Sequence, residues 1–385
     1  MTLSTLRRRV AEHLTNRAGW KTNRKIVVIE SDDWGSIRMP SAEAFRTMRS
    51  KGVPVENSPY CKYDTLASET DLEYLFELLA SFRDRSGNHP LFTANCVVSN
   101  PDFKKIEEAR FINYFCEPIT ETFARYPNHQ RCIHLWRDGN SSNVFHPQSH
   151  GKEHLNQSYW LELLRNGHAY FKAAFREQCW GLSSDVFPGM KRSVQAAFDM
   201  ESREDFSEHS RTVIEGLNLF EELFGYRSES FIANNYIWSR ELNKVLHDNG
   251  VKYLQGMKYQ KLPIYDRSSR KMIRRYVGEK NEYGQYHLVR NCTFEPSLTS
   301  DSIDNVTECL NGIKAAFLWN RPAIICTHRI NYVGHLCADN RDKSLKKLSR
   351  LIKEILKKWP DVEFMSSDQL GRTIENDDKN RVHEP

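Results

Sequence analysis

Long hydrophobic runs are missing from this sequence of 385 residues. No stretch approaches the roughly 18–20 apolar residues that a membrane-spanning helix needs, so we predict no transmembrane segment. Residues 7–9 are three arginines, but neither an apolar core nor a small-residue cleavage site follows them. We therefore predict an N-terminal amphipathic helix within residues 1–24 instead of a secretory signal, and a cytoplasmic location.

Paired cysteines are also missing. The nine cysteines are an odd number, and no two of them form a CxxC pair. This distribution is typical of free thiols in a reducing compartment. It argues against a disulfide framework and against a zinc site built from cysteines.

Basic residues are not concentrated enough along the sequence to predict a nucleic-acid-binding surface. The formal net charge is only +5, from 55 basic and 50 acidic residues. Residues 7–9 and 346–358 hold much of the excess, and elsewhere basic and acidic residues alternate. We expect solvated helix faces there and no nucleic-acid partner, although an anionic glycan or a membrane surface stays open as a partner.

What the sequence does contain is an alternation of short apolar runs with segments of helical periodicity. Residues 25–30 are almost wholly apolar, as in a strand buried on both faces of a parallel sheet. Similar runs occupy residues 91–98, 230–234, 252–256, 287–292, 323–328 and 362–367. Helical segments occupy residues 70–82, 157–165, 240–248, 302–318 and 343–358. We predict an α/β fold with a mainly parallel sheet, either doubly wound or closed into a barrel.

The domain organisation predicted from this pattern is simple. One domain with loop insertions occupies residues 25–372, after the N-terminal helix. Residues 373–385 are polar and predict a loose tail.

Two adjacent carboxylates, Asp32 and Asp33, follow the first predicted strand. In β/α barrels functional side chains gather at the carboxyl ends of the strands. Neighbouring side chains point in different directions, so one carboxylate can bind a cation while the other takes a proton. A helix N-cap or a loop turn would also explain this pair, because aspartate is favoured in both.

Three histidines spaced four residues apart form the second candidate: His146, His150 and His154. On a helical turn, residues four apart lie on one face, so His150 and His154 can bind the same metal ion. His146 and His150 share this spacing, although Pro147 biases His146 toward an extended conformation. A surface cluster of histidines is the alternative.

His328 ends the apolar run 323–328. At a strand end it is suited to act as a general acid near neutral pH, although a hydrogen-bonded core histidine would give the same pattern. Polar and aromatic residues at other strand ends are candidates for substrate binding, with core packing as the alternative for the aromatic ones. These candidates are Trp34, Asn234, Asn235, Tyr236 and Arg290.

One carboxylate and two imidazoles make a three-ligand site with a position left for water, as in catalytic zinc sites. In order and context, these elements resemble the motifs of the polysaccharide deacetylase family (carbohydrate esterase family 4, the NodB-homology domain). Residues 30–35 (Glu-Ser-Asp-Asp-Trp-Gly) resemble its first motif, and residues 149–154 (Ser-His-Gly-Lys-Glu-His) resemble its second. Residues 91–103 resemble its second strand and residues 323–328 its last motif, so the resemblance covers residues 25–330.

The resemblance implies a distorted (β/α) barrel and a metal-dependent hydrolase that removes an N- or O-acetyl group from a carbohydrate substrate. It implies Asp32 as the catalytic base and His328 as the general acid. It implies Asp33, His150 and His154 as ligands of one divalent metal ion. Zinc is the first candidate, and cobalt, nickel and iron suit the same ligands.

The sequence departs from the family at residues 230–238, where both prolines of an Arg-Pro-Pro-Tyr segment are absent and Ile232 replaces the arginine. That arginine helps to orient the base in the family, and Arg290 or Arg329 are candidates to replace it. Two other functions stay open. One is a glycosidase of the same fold with Glu295 as its second carboxylate, and the other is a non-catalytic glycan-binding protein.

Overall fold

A nine-stranded sheet organises the chain in a computed structural model that describes residues 3–182, 186–187, 190, 192–263, 271–300 and 302–382. The strands are β1 (Lys25–Trp34), β2 (Phe92–Cys96), β3 (Ser99–Pro101), β4 (Cys116–Pro118), β5 (Phe145–Ser149), β6 (Ser230–Ile232), β7 (Tyr253–Gly256), β8 (Tyr259–Lys261), β9 (Met272–Arg274), β10 (Tyr286–Val289), β11 (Cys292–Thr293), β12 (Ala323–His328) and β13 (Val362–Met365). The helices are α1 (Leu3–Asn16), α2 (Ala42–Ser50), α3 (Pro59–Tyr63), α4 (Glu69–Ala80), α5 (Phe103–Glu108), α6 (Ile119–Arg125), α7 (Cys132–Ser141), α8 (Gln157–Arg165), α9 (Ala169–Arg176), α10 (Asp205–Phe224), α11 (Leu242–Asp248), α12 (Asn305–Leu318), α13 (Ala338–Lys358) and α14 (Ser367–Val382). Short 3-10 helices occupy Val55–Asn57, Asn234–Tyr236 and Arg329–Asn331.

The order of strands in the main sheet is β10-β7-β6-β5-β2-β1-β12-β11, with β13 beside the first half of β1. Every pairing in this sheet is parallel. Each apolar run predicted as a strand contains one, and helices lie between most of them. The predicted α/β fold with a mainly parallel sheet is therefore confirmed.

The sheet closes into a barrel through one segment. β10 pairs with β7 at one end of the order, β11 pairs with β12 at the other, and only Arg290 and Asn291 separate β10 from β11. The backbone N–H of Arg290 donates to the carbonyl of Gly256 at 2.9 Å, and that of Asn291 donates to the carbonyl of Ile324 at 3.1 Å. One chain segment thus bonds to both ends of the sheet. The barrel is distorted where β10 ends and β11 begins.

The inner and outer faces of β1 are both buried, which explains its uninterrupted apolar run. Val27 and Ile29 pack outward in a core shared with α4, α7, α12 and α13, whereas Ile26 and Val28 pack on the opposite face with α14. Because side chains alternate along a strand, Glu30 continues the row of Ile26 and Val28 into the barrel.

The basic helix α13 shows how the outer layer meets solvent. Leu348, Leu351 and Ile355 recur at helical spacing and are buried against the barrel. Lysines 346, 353, 357 and 358 are exposed on the other side of the helix, as we expected for residues 346–358. None of the helices that the structure describes has the length and apolar character that crossing a membrane requires.

The C-terminal segment differs from the predicted loose tail, because α14 continues through residues 373–382. Leu370 and Ile374 are buried in the core, and the hydroxyl of Tyr253 donates to Glu375 Oε2 at 2.9 Å. Trp20 Nε1 also donates to Asp377, at 3.2 Å. These tertiary contacts order a helix whose local sequence is almost entirely polar.

Candidate active site

Both carboxylates at the end of β1 line one cavity. Residues next to each other in a strand normally point to opposite faces. Here the pairing of β1 with β2 shifts register between Ser31 and Trp34, and Asp33 has a left-handed φ of +77°. Aspartate tolerates this conformation better than most residues do. The irregularity turns Asp33 toward the same cavity as Asp32, and both are buried.

His150 and His154 lie in an irregular loop after β5, which corrects the expectation that they share a helical turn. Gly151 has a φ of +90°, and a Cβ atom there would lie 3.2 Å from the ring of Phe198. This sharp bend, and not a helix, brings the two imidazole rings to 5.0 Å between centroids.

His146 lies away from these residues. It belongs to β5, where its Nδ1 is 2.7 Å from Asn140 Oδ1 and its Nε2 is 3.1 Å from Asp368 Oδ1. Its ring stacks on Tyr226 at 5.6 Å between centroids. His146 therefore lies outside the candidate group of metal ligands, which contains His150 and His154.

Asp33, His150 and His154 form a donor set that fits a divalent metal ion. Their nearest ligand atoms all lie within 4.8 Å of one another. Asp33 Oδ1 is 3.5 Å from His150 Nε2 and 3.2 Å from His154 Nε2. Within the described residues, this buried oxygen has no hydrogen-bond partner. Because His150 Nδ1 lies 2.9 Å from the carbonyl of Ile232 and can donate to it, Nε2 can hold the lone pair that a metal ligand needs.

The charges around this donor set suit metal binding as well. Burial alone would raise the pKa of Asp33, but the guanidinium of Arg38, together with the nearby histidines, outweighs burial and holds the pKa well below its usual value. Burial also lowers the pKa of His154 well below the usual value for histidine. Metal ligands must be an ionised carboxylate and neutral imidazoles, and these shifts favour those forms.

Asp32 is held by Arg290. Nη1 and Nη2 of Arg290 donate to the two carboxylate oxygens of Asp32 at 2.7 and 2.6 Å, and its Nε donates to Glu30 Oε2 at 2.5 Å. Burial would raise the pKa of Asp32, but Arg290 outweighs it and lowers the pKa below its usual value. Arg329, the other arginine considered for this position, instead donates to Asp64 at 3.0 and 2.9 Å.

His328 is paired with Glu295, whose Oε1 lies 2.5 Å from His328 Nδ1. Asn331 Nδ2 donates to the other oxygen of Glu295 at 2.8 Å. Burial works against a charged imidazole, but Glu295 outweighs it and raises the pKa of His328 well above its usual value. This shift favours the protonated ring, whose Nε2 lies 3.7 Å from Asp32 Oδ2.

The cavity that contains these groups has a volume of about 190 Å³. It is lined by Asp32, Asp33, Arg38, Tyr60, His150, His154, Gln195, Ala233, Asn235, Tyr236 and His328. Arg38, Tyr60 and Gln195 were not among the residues predicted from sequence. Arg38 lies five residues after Asp33, so the first motif could have suggested it. Nothing local to Tyr60 or Gln195 indicates that they reach the site.

The predicted substrate-binding residues separate into three groups. Asn235 and Tyr236 line the cavity as expected for such residues. Asn234 does not line it, because its side chain donates to the backbone carbonyl of His150 at 3.1 Å. Arg290 is occupied by Asp32 and Glu30, so these two predictions are corrected from substrate contact to support of site residues.

The last predicted substrate-binding residue, Trp34, lies outside the cavity, and the expectation that it binds substrate is wrong. Its ring is buried in the core between the barrel and the outer helices, in an edge-to-face contact with Phe145 at 4.9 Å. Its Nε1 donates to Ser31 Oγ at 3.0 Å. The shifted register after Ser31 directs this side chain outward, away from the cavity.

Comparison with solved structures gives the architecture a context. The chain is similar to polysaccharide deacetylases. One is a Pseudomonas aeruginosa protein described as a probable polysaccharide deacetylase, with 10% identity, a TM-score of 0.46 and coverage of 91% of both chains. Another, from Bacillus cereus, has 10% identity and a TM-score of 0.29, with 70% of this chain and 65% of that chain covered.

The similarity is not restricted to deacetylases. The PuuE allantoinase has 10% identity and a TM-score of 0.42, with 92% of this chain and 91% of that chain covered. No family model and no curated protein matches the sequence. At these identities the similarity describes the fold, and function has to be inferred from the residues of the cavity.

Proposed function

We propose that this protein is a metal-dependent hydrolase that removes an acetyl group from a sugar or polysaccharide. The observation that carries the proposal is the buried set of Asp33, His150 and His154, whose ligand atoms lie within 4.8 Å of one another. Two histidines and one carboxylate are a common ligand set of catalytic zinc, which keeps a position open for water or substrate. We therefore assign the site one divalent ion, with zinc as the first candidate.

When bound, a divalent ion would supply a Lewis acid for the acetyl carbonyl and would lower the pKa of water. Asp32 is kept ionised by Arg290 and would accept a proton from the attacking water. His328, whose raised pKa favours the protonated ring, would donate a proton from Nε2 to the departing sugar amine or hydroxyl. The two groups are 3.7 Å apart and line one cavity, so both could act on the same acetyl group.

Contacts of Glu295 favour this function over a glycosidase. A glycosidase needs a second carboxylate that faces the substrate. Both oxygens of Glu295 are used, one by His328 at 2.5 Å and the other by Asn331 at 2.8 Å, and Glu295 is not part of the cavity lining. Its position suits support of the acid and not attack on a sugar.

The state of the cysteines supports a reducing compartment such as the cytoplasm. No disulfide joins any of the nine, all of which lie among the described residues, and seven of them are buried. Free thiols in this number are typical of proteins that do not pass through an oxidising compartment. The proposed substrate is accordingly an acetylated sugar or sugar conjugate within the cell.

The experiment that tests the proposal is a measurement of metal content in three purified proteins: wild type, His150→Ala/His154→Ala and His146→Ala. We expect one divalent ion per chain in the wild type and in His146→Ala, and none in the double variant. His146→Ala is the matched control, because this histidine has the same spacing but lies outside the site. The metal-loaded wild type should release acetate from acetylated sugars.

Absence of metal from the wild type, even after incubation with zinc, would refute the proposal. Retention of the ion by the double variant would refute the assigned ligands. If the wild type binds no metal, a glycan-binding role without catalysis would explain the cavity better.

A further inference from the structure

We propose that the cavity admits one terminal sugar residue, and that Tyr60 and Gln195 set this limit. The inference rests on the proposed function and specifies its substrate class: an acetylated monosaccharide unit, either free or at the end of a chain. Internal residues of a polysaccharide would be excluded.

The reactive groups lie at the bottom of the cavity. Asp32, Asp33 and His150 are each 2% exposed, and His154 is 4% exposed. An acetyl group can reach them only by entering the cavity. The volume of about 190 Å³ is below the range of about 300–1,000 Å³ that is typical of sites for drug-sized ligands. It therefore suits one small unit and not several consecutive sugars.

Tyr60 forms one wall. It lies on α3, between β1 and β2 in sequence, and its ring lies beneath the guanidinium of Arg38 at 4.6 Å. The same ring meets the imidazole of His328 edge-to-face at 6.2 Å between centroids. Tyr60 therefore spans the distance between the acid and Arg38 and closes that side of the cavity.

Gln195 holds a second wall in place. Its Nε2 donates to the carbonyl of Gly181 at 3.0 Å, and its Oε1 accepts from Arg38 Nη1 at 3.1 Å. Arg38 also donates to Asp33 Oδ2 at 3.0 Å, so this wall is connected directly to the metal-binding carboxylate. Gln195 is buried, which indicates that the wall is packed and not a loose side chain at the surface.

Asn235 and Tyr236 line a further part of the cavity, next to the carboxyl end of β6. The hydroxyl of Tyr236 receives a hydrogen bond from Arg290 Nη1 at 3.3 Å, which fixes its ring beside Asp32. An internal sugar would need two openings, one for each direction of the chain. A terminal sugar needs only one opening, which the proposal places between the walls formed by Tyr60, Gln195 and Tyr236.

The test uses two series of substrates, one of N-acetylated hexosamine oligomers and one of O-acetylated xylose oligomers, each from one to six sugars long. With the zinc-loaded full chain, we expect kcat/KM for acetate release to be highest for one sugar and not to rise with length. Mass spectrometry of the oligomer products should find the lost acetyl group on a terminal residue only. Turnover of the single sugars would identify a free monosaccharide as substrate, and turnover of the oligomers at their ends would identify the end of a chain.

Variants test the walls. Tyr60→Ala should raise the ratio of kcat/KM for the hexamer over the single sugar by about tenfold or more, because removal of a wall contact changes discrimination by this order. Tyr63→Ala is the matched control: it is on the same helix, but its side chain lines a different surface depression, and the ratio should not change. Gln195→Ala provides a second test of the walls should Tyr60→Ala fail to fold.

Three results would overturn the inference. A wild-type kcat/KM that rises with length, with internal acetyl groups removed, would refute it and leave the proposed function intact. An equal response of the Tyr60 and Tyr63 variants would refute the assigned wall. No turnover of either series by protein that binds zinc would refute the proposed function, and this inference with it.

Discussion

Replacing Arg290 with methionine should destabilise the protein by about 3–5 kcal/mol at neutral pH, the usual cost of removing one partner from a buried ion pair. The side chain of Arg290 is fully buried between two carboxylates, Glu30 and Asp32. Its three hydrogen bonds to them are 2.5–2.7 Å long. Methionine fills a similar volume, so the loss would come mainly from two carboxylates left without a counter-charge.

The destabilisation caused by Arg290→Met should depend on pH, and the direction of this dependence follows from the pKa shifts of Glu30 and Asp32. Burial already raises the pKa of Glu30 despite Arg290, and without Arg290 burial would raise the pKa of Asp32 as well. A group whose pKa is higher in the folded state than in the unfolded state loses stabilising effect as the pH rises through the folded pKa. The loss of unfolding free energy in the variant, relative to the wild type, should therefore be small near pH 5 and grow toward pH 7. The growth is at most about 1.4 kcal/mol per pH unit for each of the two carboxyl groups that loses its proton.

The assay is urea unfolding of both proteins at several values between pH 5 and 7. Arg321→Met is the matched control, because Arg321 is equally buried but, among the described residues, donates to backbone carbonyls, those of Asn16, Trp20 and Arg17. Its loss of unfolding free energy should not change over this pH range. Adding Glu30→Gln to Arg290→Met should restore part of the stability, because one of the unpaired carboxylates is then gone.

An unfolding free energy of Arg290→Met within about 1 kcal/mol of the wild type at pH 7, the range of an ordinary substitution, would refute this role of Arg290. The role would also be refuted if the loss in Arg290→Met were as independent of pH as that in Arg321→Met. Either result would mean that Glu30 and Asp32 do not depend on Arg290 for their charge.

Three further predictions concern the cavity and its surroundings. Glu295→Gln should lower the pKa of His328, because the carboxylate that favours the imidazolium is removed, and should move the alkaline limb of the kcat/KM profile to lower pH; an unmoved limb would exclude His328 as the acid. Gly151→Ala should raise the zinc Kd about tenfold in a chelator competition. The reason is that a φ of +90° and a Cβ atom only 3.2 Å from Phe198 would strain the loop by about 1–2 kcal/mol. An unchanged zinc affinity would contradict this prediction. Trp34→Ala should cost about 3–5 kcal/mol of unfolding free energy without changing KM, since the ring packs in the core; a stable variant with a raised KM would contradict its core position.

Much of the architecture could be predicted from the apolar runs. Strands buried on both faces must be apolar at nearly every position, so residues 25–30 and 323–328 stand out from the surrounding polar sequence. The ends of these strands also predicted where the polar groups of the cavity would be. Asp32 and His328 pair with each other in the register of β1 and β12, which brings both to the same end of the barrel.

Local conformation was predicted less well where tertiary contacts decide it. A spacing of four suggested a helical turn for His150 and His154, but Gly151 bends the chain into a loop that joins them without a helix. The tail was expected to be loose because it is polar, yet a few contacts of Ile374 and Glu375 with the barrel order it as part of α14.

The sequence by itself determined the chemical types at the strand ends: two carboxylates after β1, two histidines after β5 and one after β12. Only the tertiary structure decided which groups support them, because the supports come from distant parts of the chain. Arg290 reaches Asp32 across 258 residues through closure of the barrel at β10 and β11. Tyr60 and Gln195 reach the cavity from connecting segments whose sequences carry no periodic signal. Strand patterns are local and can be read along the chain, whereas barrel closure and the packing of connections depend on contacts that no short segment contains.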